Sequence, residues 1–186
     1  MTIATQRRRR NPATNEDDLV ARARGADAAA FATLYTTHSP AVTRLVASRV
    51  GPDFVNEIVA DGFVRAWKSL PKYRSKGKPF IAWLFGIARF AVADHYRVAT
   101  RHHSAELEPD MDSTATDDVT SLMARLHLRD VLGKLPKRQQ RVIELKYFGA
   151  LTNEEVAEAL GMSTGAVNAT QWRGLQRIRS LLEEDQ

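Results

Sequence analysis

Residues 151–179 read LTNEEVAEALGMSTGAVNATQWRGLQRIR. Thr152 stands where a helix N-cap would, followed by Glu154 and Glu155, whose charges suit the positive end of a helix dipole. Val156, Ala157 and Leu160 then recur at helical spacing, and Gly161 stops the run. Ser163 is placed to cap a second, longer helix. Its Val167, Gln171, Gly174, Leu175, Ile178 and Leu182 fall within about a third of the helical wheel, which predicts an inward face. Short helix, glycine turn, cap and long helix predict a helix-turn-helix.

The opposite face of that second helix carries Asn168, Ala169, Trp172, Arg173 and Gln176, flanked by Arg177 and Arg179. Amides and arginines hydrogen-bond base edges, arginines also neutralise phosphate, and small groups admit close approach, so this face suits DNA. The competing reading is a pair of surface helices whose charges are merely solvated. Agreement among cap, turn, apolar stripe and polar outer face favours the DNA reading.

Outward from this segment, the chain of 186 residues is long enough for one medium domain or two small ones, and its 44% hydrophobic residues can fill real cores. A net charge of +5 favours an anionic partner. The charge is unevenly spread: 16 basic against 8 acidic residues over 1–100, 1 against 6 over 101–120, and 10 against 8 over 121–186. Two basic blocks therefore flank an acidic joint. Cysteine is absent, which removes disulfides, thiolate metal sites and cysteine nucleophiles and fits a cytoplasmic protein. Arg7 to Arg10 precede no apolar stretch, so they read as a tail rather than a secretory signal. The longest apolar run, Phe80 to Ala93, is too short to span a bilayer and contains Arg89, so no membrane insertion is expected.

Helical spacing recurs throughout and strand-like alternation is scarce, which predicts an all-α chain of two helical domains joined by a flexible acidic linker. A disordered basic tail is expected over 1–15, a first helical domain over 16–102, the linker over 103–118 and the helix-turn-helix domain over 119–186. In the first domain, helices are expected from about Glu16 to Arg24, from Asp27 to Val50 with a bend near Ser39 and Pro40, from Asp53 to Leu70, and from Phe80 to about Arg101. In the second, one helix runs from Val119 to Leu135, and Pro136 opens another that Gly149 ends.

In the helix from Asp53, the residues Val55, Ile58, Val59, Gly62, Phe63 and Ala66 share one face. The other presents Glu57, Asp61 and Val64. Two carboxylates beside an exposed valine suit a basic protein surface rather than DNA, and the competing reading is an ordinary solvated helix face. The loop PKYRSKGKP gathers Lys72, Tyr73, Arg74, Lys76 and Lys78, next to a helix carrying Trp83, Arg89, His95, Tyr96 and Arg97. Interleaved cations and aromatics suit single-stranded nucleic acid, although Trp83 and Phe85 read better as core. Catalysis has little support. His38, His95, His102, His103 and His127 show no metal-ligand spacing, and no phosphate-binding glycine loop is present, so no enzyme activity, cofactor or metal is expected.

Taken together these residues resemble the extracytoplasmic-function sigma factors of bacterial RNA polymerase, over about Asp17 to Leu182. EIVADGFVRAWKSLPKYR matches that family's polymerase-binding and promoter-opening segment at Glu57, Asp61, Phe63, Arg65, Ala66 and Trp67. WLFGIARFAVADHYR matches the following helix at Trp83, Leu84, Ile87, Ala88, Arg89, Asp94 and Arg97, and LPKRQQRVIELKYFGALTNEEVAEALGMSTGAVNATQWRGLQRIR resembles the second domain almost end to end. Ala60 stands where the family usually has Gln and Phe90 where Asn is common, while Asn168, Ala169 and Thr170 replace a common Lys-Ser-Arg run.

The resemblance implies a protein that gives core polymerase its promoter choice. Glu57, Asp61, Val64 and Arg65 would dock on the β′ clamp helices, with the β subunit as a further contact. Lys72, Arg74, Ser75, Lys76, Lys78, Arg89 and Arg97 would open and hold the −10 element. Ser163, Thr164, Asn168, Ala169, Trp172, Arg173, Gln176 and Arg177 would read the −35 element. The linker would lie along the RNA-exit path. An anti-sigma factor would supply control, as no regulatory extension follows the helix-turn-helix. The alternative is a stand-alone helix-turn-helix regulator that binds an operator as a dimer; a third class, a small helical nucleic-acid enzyme, lacks a catalytic set.

Overall fold

The computed structural model describes residues 12–75, 77–103 and 128–184. The Arg7 to Arg10 tail, Lys76, the linker over 104–118 and the expected helix start at Val119 lie outside them. Among the described residues the regular elements are all helical: α1 (Pro12–Arg24), α2 (Ala28–Ala47), α3 (Pro52–Ser69), a 3₁₀ turn (Leu70–Lys72), α4 (Phe80–His103), α5 (Lys137–Ile143) running into a π turn (Glu144–Phe148), α6 (Asn153–Leu160) and α7 (Thr164–Glu184). Residues 128–133 are also helical. α1 begins four residues before the expected Glu16, with Pro12 in the first helical position, where its missing N–H costs nothing. α4 runs through His103, the first residue assigned to the linker.

Local chemistry sets the breaks. The Asp27 carboxylate accepts from the Ala30 amide at 3.0 Å and from Arg22 at 2.8 Å, capping α2. Helix α2 passes through Pro40 without ending. The face of α3 that is buried consists of Val55, Ile58, Val59, Gly62, Phe63 and Ala66, the stripe that periodicity predicts. In α4 Phe85 is fully buried and Leu84, Ala88, Ala91 and Val92 line the same core.

In the second half, the Thr152 hydroxyl accepts from the Glu155 amide at 3.2 Å while the Glu155 carboxylate accepts from the Thr152 amide at 2.7 Å, a reciprocal capping box. Gly161, at φ 65°, closes α6 in the left-handed region that a side chain would resist. Ser163 Oγ accepts from the Ala166 amide at 3.2 Å and starts α7. The inward stripe of α7 differs from the expected one. Val167, Thr170, Gly174 and Leu181 are buried, whereas Leu175 is 40% exposed. The cause is the packing partner: α7 lies on α5 so closely that a Cβ on Gly174 would stand 3.3 Å from Ile143 Cγ1. The narrow seam 167, 170, 174, 178, 181 follows the i, i+3, i+7 spacing of helices in such close contact, and Leu175 falls outside it.

The two halves share one apolar core. Val142, Leu145, Leu151, Val156 and Val167 join the cluster built by Leu34, Leu45, Phe63, Phe85 and their neighbours, while Leu132, Leu135 and Ile143 form a smaller cluster within the second half. Thr152→Ala, which removes the hydroxyl half of the capping box, should lower the unfolding free energy by about 1 kcal/mol in a chemical denaturation series, with no change in the slope against denaturant.

Candidate nucleic-acid and protein interfaces

Helix α7 presents the expected outer face to solvent. Asn168, Ala169, Trp172, Arg173, Gln176 and Arg177 are exposed, Trp172 at 64%, and Ser163 and Thr164 sit at the same end of the helix. Two contacts order this surface. Asn153 Nδ2, at the start of α6, donates to Asn168 Oδ1, which leaves the Asn168 N–H groups to find acceptors. Gln171 Nε2 donates to the Tyr147 hydroxyl at 3.1 Å, tying α7 to the π turn. Asn153 was not foreseen as part of this face; its place at the first position of the preceding helix, beside the turn, is the signal that points to it.

The outward side of α3 and α4 carries an ion-pair ladder in place of a purely acidic face. Glu57 and Val64 are exposed, as expected. Arg65 Nε donates to Asp61 at 2.7 Å, its Nη1 reaches Asp94 on α4, and Asp94 also pairs with Arg97. The hydrogen bond from Arg65 holds the Asp94 carboxyl below its usual value, helped by the Arg97 charge, and Asp94 in turn raises the Arg65 guanidinium. Asp61 and Arg65 thus stand on one side of the ladder and Arg97 on the other, the first pair expected to face protein and the last to face DNA.

The loop after α3 exposes Lys72, Arg74, Ser75 and Lys78. Arg74 Nη1 donates to the Tyr73 carbonyl at 2.9 Å, which shapes the turn. Tyr73 itself is no base platform. It is buried, with ring centroids 4.6 Å from Trp83 and 5.5 Å from Phe80. Burial pushes its hydroxyl up to about 12, with the Glu16 and Asp17 carboxylates adding to the shift. The loop therefore offers cations, and its aromatic serves the core because Phe80 and Trp83 give it an apolar wall. Beside the loop a cleft of about 450 Å³ is lined by Glu16, Asp17, Ser75, Lys78, Glu155 and Glu158, so the first helix of the helix-turn-helix lies along it.

Arg89 occupies a different setting from the one expected. Its Nη2 donates to Glu144 Oε2 at 2.6 Å and its Nε to the same oxygen at 3.2 Å. Arg49 Nη2 reaches the other carboxylate oxygen, Glu144 Oε1. Glu144 is fully buried, and the two arginine side chains are 20% and 21% exposed. Burial lowers the Arg89 guanidinium and the Glu144 carboxylate opposes that shift, while neighbouring Arg49 adds to the lowering. An arginine nonetheless stays charged. Arg44 Nη2 also crosses between the halves, donating to the Phe148 carbonyl at 3.0 Å. A lone Glu within VIELKYF gives no hint of partners 55 and 95 residues away, so neither Glu144 nor Arg49 was legible in the sequence.

Among the described residues no group of three or more His, Asp or Glu is placed to hold a metal ion, and no helix is long and apolar enough to cross a membrane. Residues 34–102 match the Sigma-70 region 2 family model and residues 125–178 the Sigma-70, region 4 model. The chain is 33% identical to the ECF RNA polymerase sigma factor SigD of Mycobacterium tuberculosis, over 88% of this chain and 82% of that one. It is 34% identical to ShbA of Streptomyces griseus, also an ECF RNA polymerase sigma factor, over 89% and 94% of the two chains. Among solved structures, CnrH in complex with the cytosolic domain of CnrY superposes with a TM-score of 0.68 at 26% identity, covering 92% of this chain and 99% of that one.

The Asp94 setting carries a testable consequence. Arg65→Gln should raise the Asp94 carboxyl titration midpoint toward 3.8, read by carboxyl carbon NMR, since the largest cause of its depression is removed. Its depressed pKa stabilises the wild-type fold above the unfolded-state value, and that contribution is lost as pH falls through the folded one, so the variant should show a weaker loss on acidification. An unmoved midpoint would mean that Arg97 alone holds Asp94 ionised.

Proposed function

From the premise that this chain belongs to the extracytoplasmic-function RNA polymerase sigma factors, we propose a division of labour among its surfaces. The chain binds core RNA polymerase and directs promoter-specific transcription initiation, through melting at the −10 element and recognition of the −35 element. The domain running to about residue 102 is the region-2-like unit and the domain from about residue 119 the region-4-like unit, with 103–118 as the linker between them. The chain supplies binding energy and geometry to polymerase and performs no chemistry of its own, and its place of work is the cytoplasm, where polymerase meets promoters.

Glu57, Asp61, Val64 and Arg65 dock on the β′ clamp helices, with the β subunit as a further contact. Lys72, Arg74, Ser75, Lys76, Lys78, Arg89 and Arg97 serve the −10 element. Ser163, Thr164, Asn168, Ala169, Trp172, Arg173, Gln176 and Arg177 enter the major groove of the −35 element. The observation that carries this reading is the outer face of α7, where two exposed arginines, an exposed tryptophan and an amide ordered by Asn153 share one side of a helix whose other side is fixed on α5. Phosphate contacts from the arginines fix register, and amide and arginine contacts to base edges fix sequence. A separate anti-sigma protein masks the chain, a reading supported by CnrH, solved with a second protein, CnrY, bound to it.

Run-off transcription with core polymerase on host genomic fragments tests the function. Start sites that appear only when this chain is added are the expected result. No stimulation, together with tight operator binding by the chain alone, would favour the stand-alone dimeric regulator. On a promoter so obtained, Arg173→Ala should weaken holoenzyme binding by about 1–3 kcal/mol if Arg173 makes a forked contact to a base edge. An equal loss on every DNA sequence would make it a phosphate anchor instead.

A further inference from the structure

A cleft of about 770 Å³ lies between the two halves and is lined by Arg49, Arg89, Tyr96, Arg129, Asp130 and Lys134. Its charge is mostly positive, and Arg129 accounts for Asp130 at 3.7 Å. At its base Arg49 and Arg89, from the turn after α2 and the middle of α4, converge on one carboxylate that the second half provides. The region 2 model spans both arginines and the region 4 model spans Glu144. Two guanidiniums this close repel each other unless an anion lies between them.

A carboxylate satisfies the pair only in part. Its two oxygens are each taken by one arginine, and Arg49 Nε remains a buried donor without an acceptor. A buried donor left unmade costs free energy, so the pocket has capacity for an anion with more oxygens. A phosphodiester has two non-bridging oxygens that share one negative charge and two ester oxygens in a tetrahedral array, and forked arginine donors suit it. Arg89 shares α4 with Arg97, two turns further along, which places the pair in line with the surface assigned above to −10 DNA.

We propose that Arg49 and Arg89 form a clamp for a backbone phosphate of promoter DNA, and that Glu144 fills this clamp when the two halves are closed on each other. The clamp rests on the DNA-facing reading of α4 given above and adds to it Arg49, a residue which that reading leaves out, and a competitor for the site within the chain. Opening the chain on polymerase removes Glu144, and the phosphate takes its place without leaving two buried cations unpaired. The closed state accordingly costs DNA affinity, because one anion must leave before the other enters.

The test uses the full chain assembled with core polymerase and a promoter fragment recovered by run-off, with binding measured over a range of salt. Glu144→Gln keeps the shape and removes the charge, and should tighten binding of the chain to core polymerase several-fold, because opening no longer has to strip an anion from the two arginines. Arg49→Ala in that background should take about 0.9 from the slope of log affinity against log salt, one phosphate's share. Arg49→Lys should keep the slope while weakening binding, since the charge stays and the fork is lost; it serves equally if the alanine variant folds poorly. With the wild-type chain, a single uncharged methylphosphonate linkage next to the −10 element should reproduce the slope loss of Arg49→Ala and add nothing to it. An unchanged slope for Arg49→Ala, or unweakened binding for Arg49→Lys, with Arg97→Ala still lowering the slope, overturns the clamp and leaves the region 2 reading standing. If neither lowers it, the DNA-facing reading of α4 falls and the clamp with it. Inorganic phosphate that binds the Glu144→Gln chain without any Arg49-dependent promoter slope would mark a general anion pocket and also overturn the proposal.

Discussion

The arrangement of the two halves depends on one buried carboxylate. Glu144 sits with 1% of its side chain exposed, between arginines that arrive from the turn after α2 and from α4. Taking three charged groups out of water costs several kcal/mol per ion, and mutual attraction returns that only when geometry and hydrogen bonding are good. Such a triad is therefore poor glue in net terms. Removing one member, however, strands the others, so it selects a docked geometry in which all three meet and disfavours those in which they do not. The apolar contacts of Val142, Leu145 and Val156 with the first-half core supply the non-directional part of the docking, and the triad supplies its register.

Around that contact the surfaces divide by chemistry. The outer side of α7 faces away from its seam on α5, with its polar groups available. The loop carrying Lys78 lies along acidic Glu155 and Glu158, and Arg89 is engaged by Glu144. The face of α7 proposed to read the −35 element is thus open, while part of the surface proposed for the −10 element meets carboxylates from the other half. The same economy of charge appears in the ladder Asp61, Arg65, Asp94 and Arg97, which holds α3 and α4 in register and presents both signs on one surface.

Much of this molecule was legible from residue order. The caps at Thr152 and Ser163, the stop at Gly161 and the inward stripe of α3 follow from hydrogen-bond chemistry and periodicity over a few residues, and each is found where the pattern puts it. The outer face of α7 was legible because polar groups grouped on one side of a helix have no core to enter. Where the reading missed, a partner decided. Thr170 is buried and Leu175 exposed because Gly174 allows α5 to approach, which rotates the seam away from the most hydrophobic arc. Tyr73 serves the core rather than the loop's surface because Phe80 packs edge-on and Trp83 at a tilt against its ring.

The sequence by itself determined the helices, the capped ends at Thr152, Gly161 and Ser163 and the order of the two domains, since all of these are set by local strings, while the uncapped ends of α1 and α4 fell a few residues from where periodicity put them. It determined the family as well, because three motifs in fixed order are local strings. Only the tertiary structure decided that Glu144 would be buried, that Arg49 and Arg89 would share it, and that a π turn would carry it there. Those facts rest on pairings between residues far apart in the chain, and no local preference encodes which of several arginines a carboxylate will meet. That choice is made when two apolar faces close and leave a charge inside with only certain neighbours in reach.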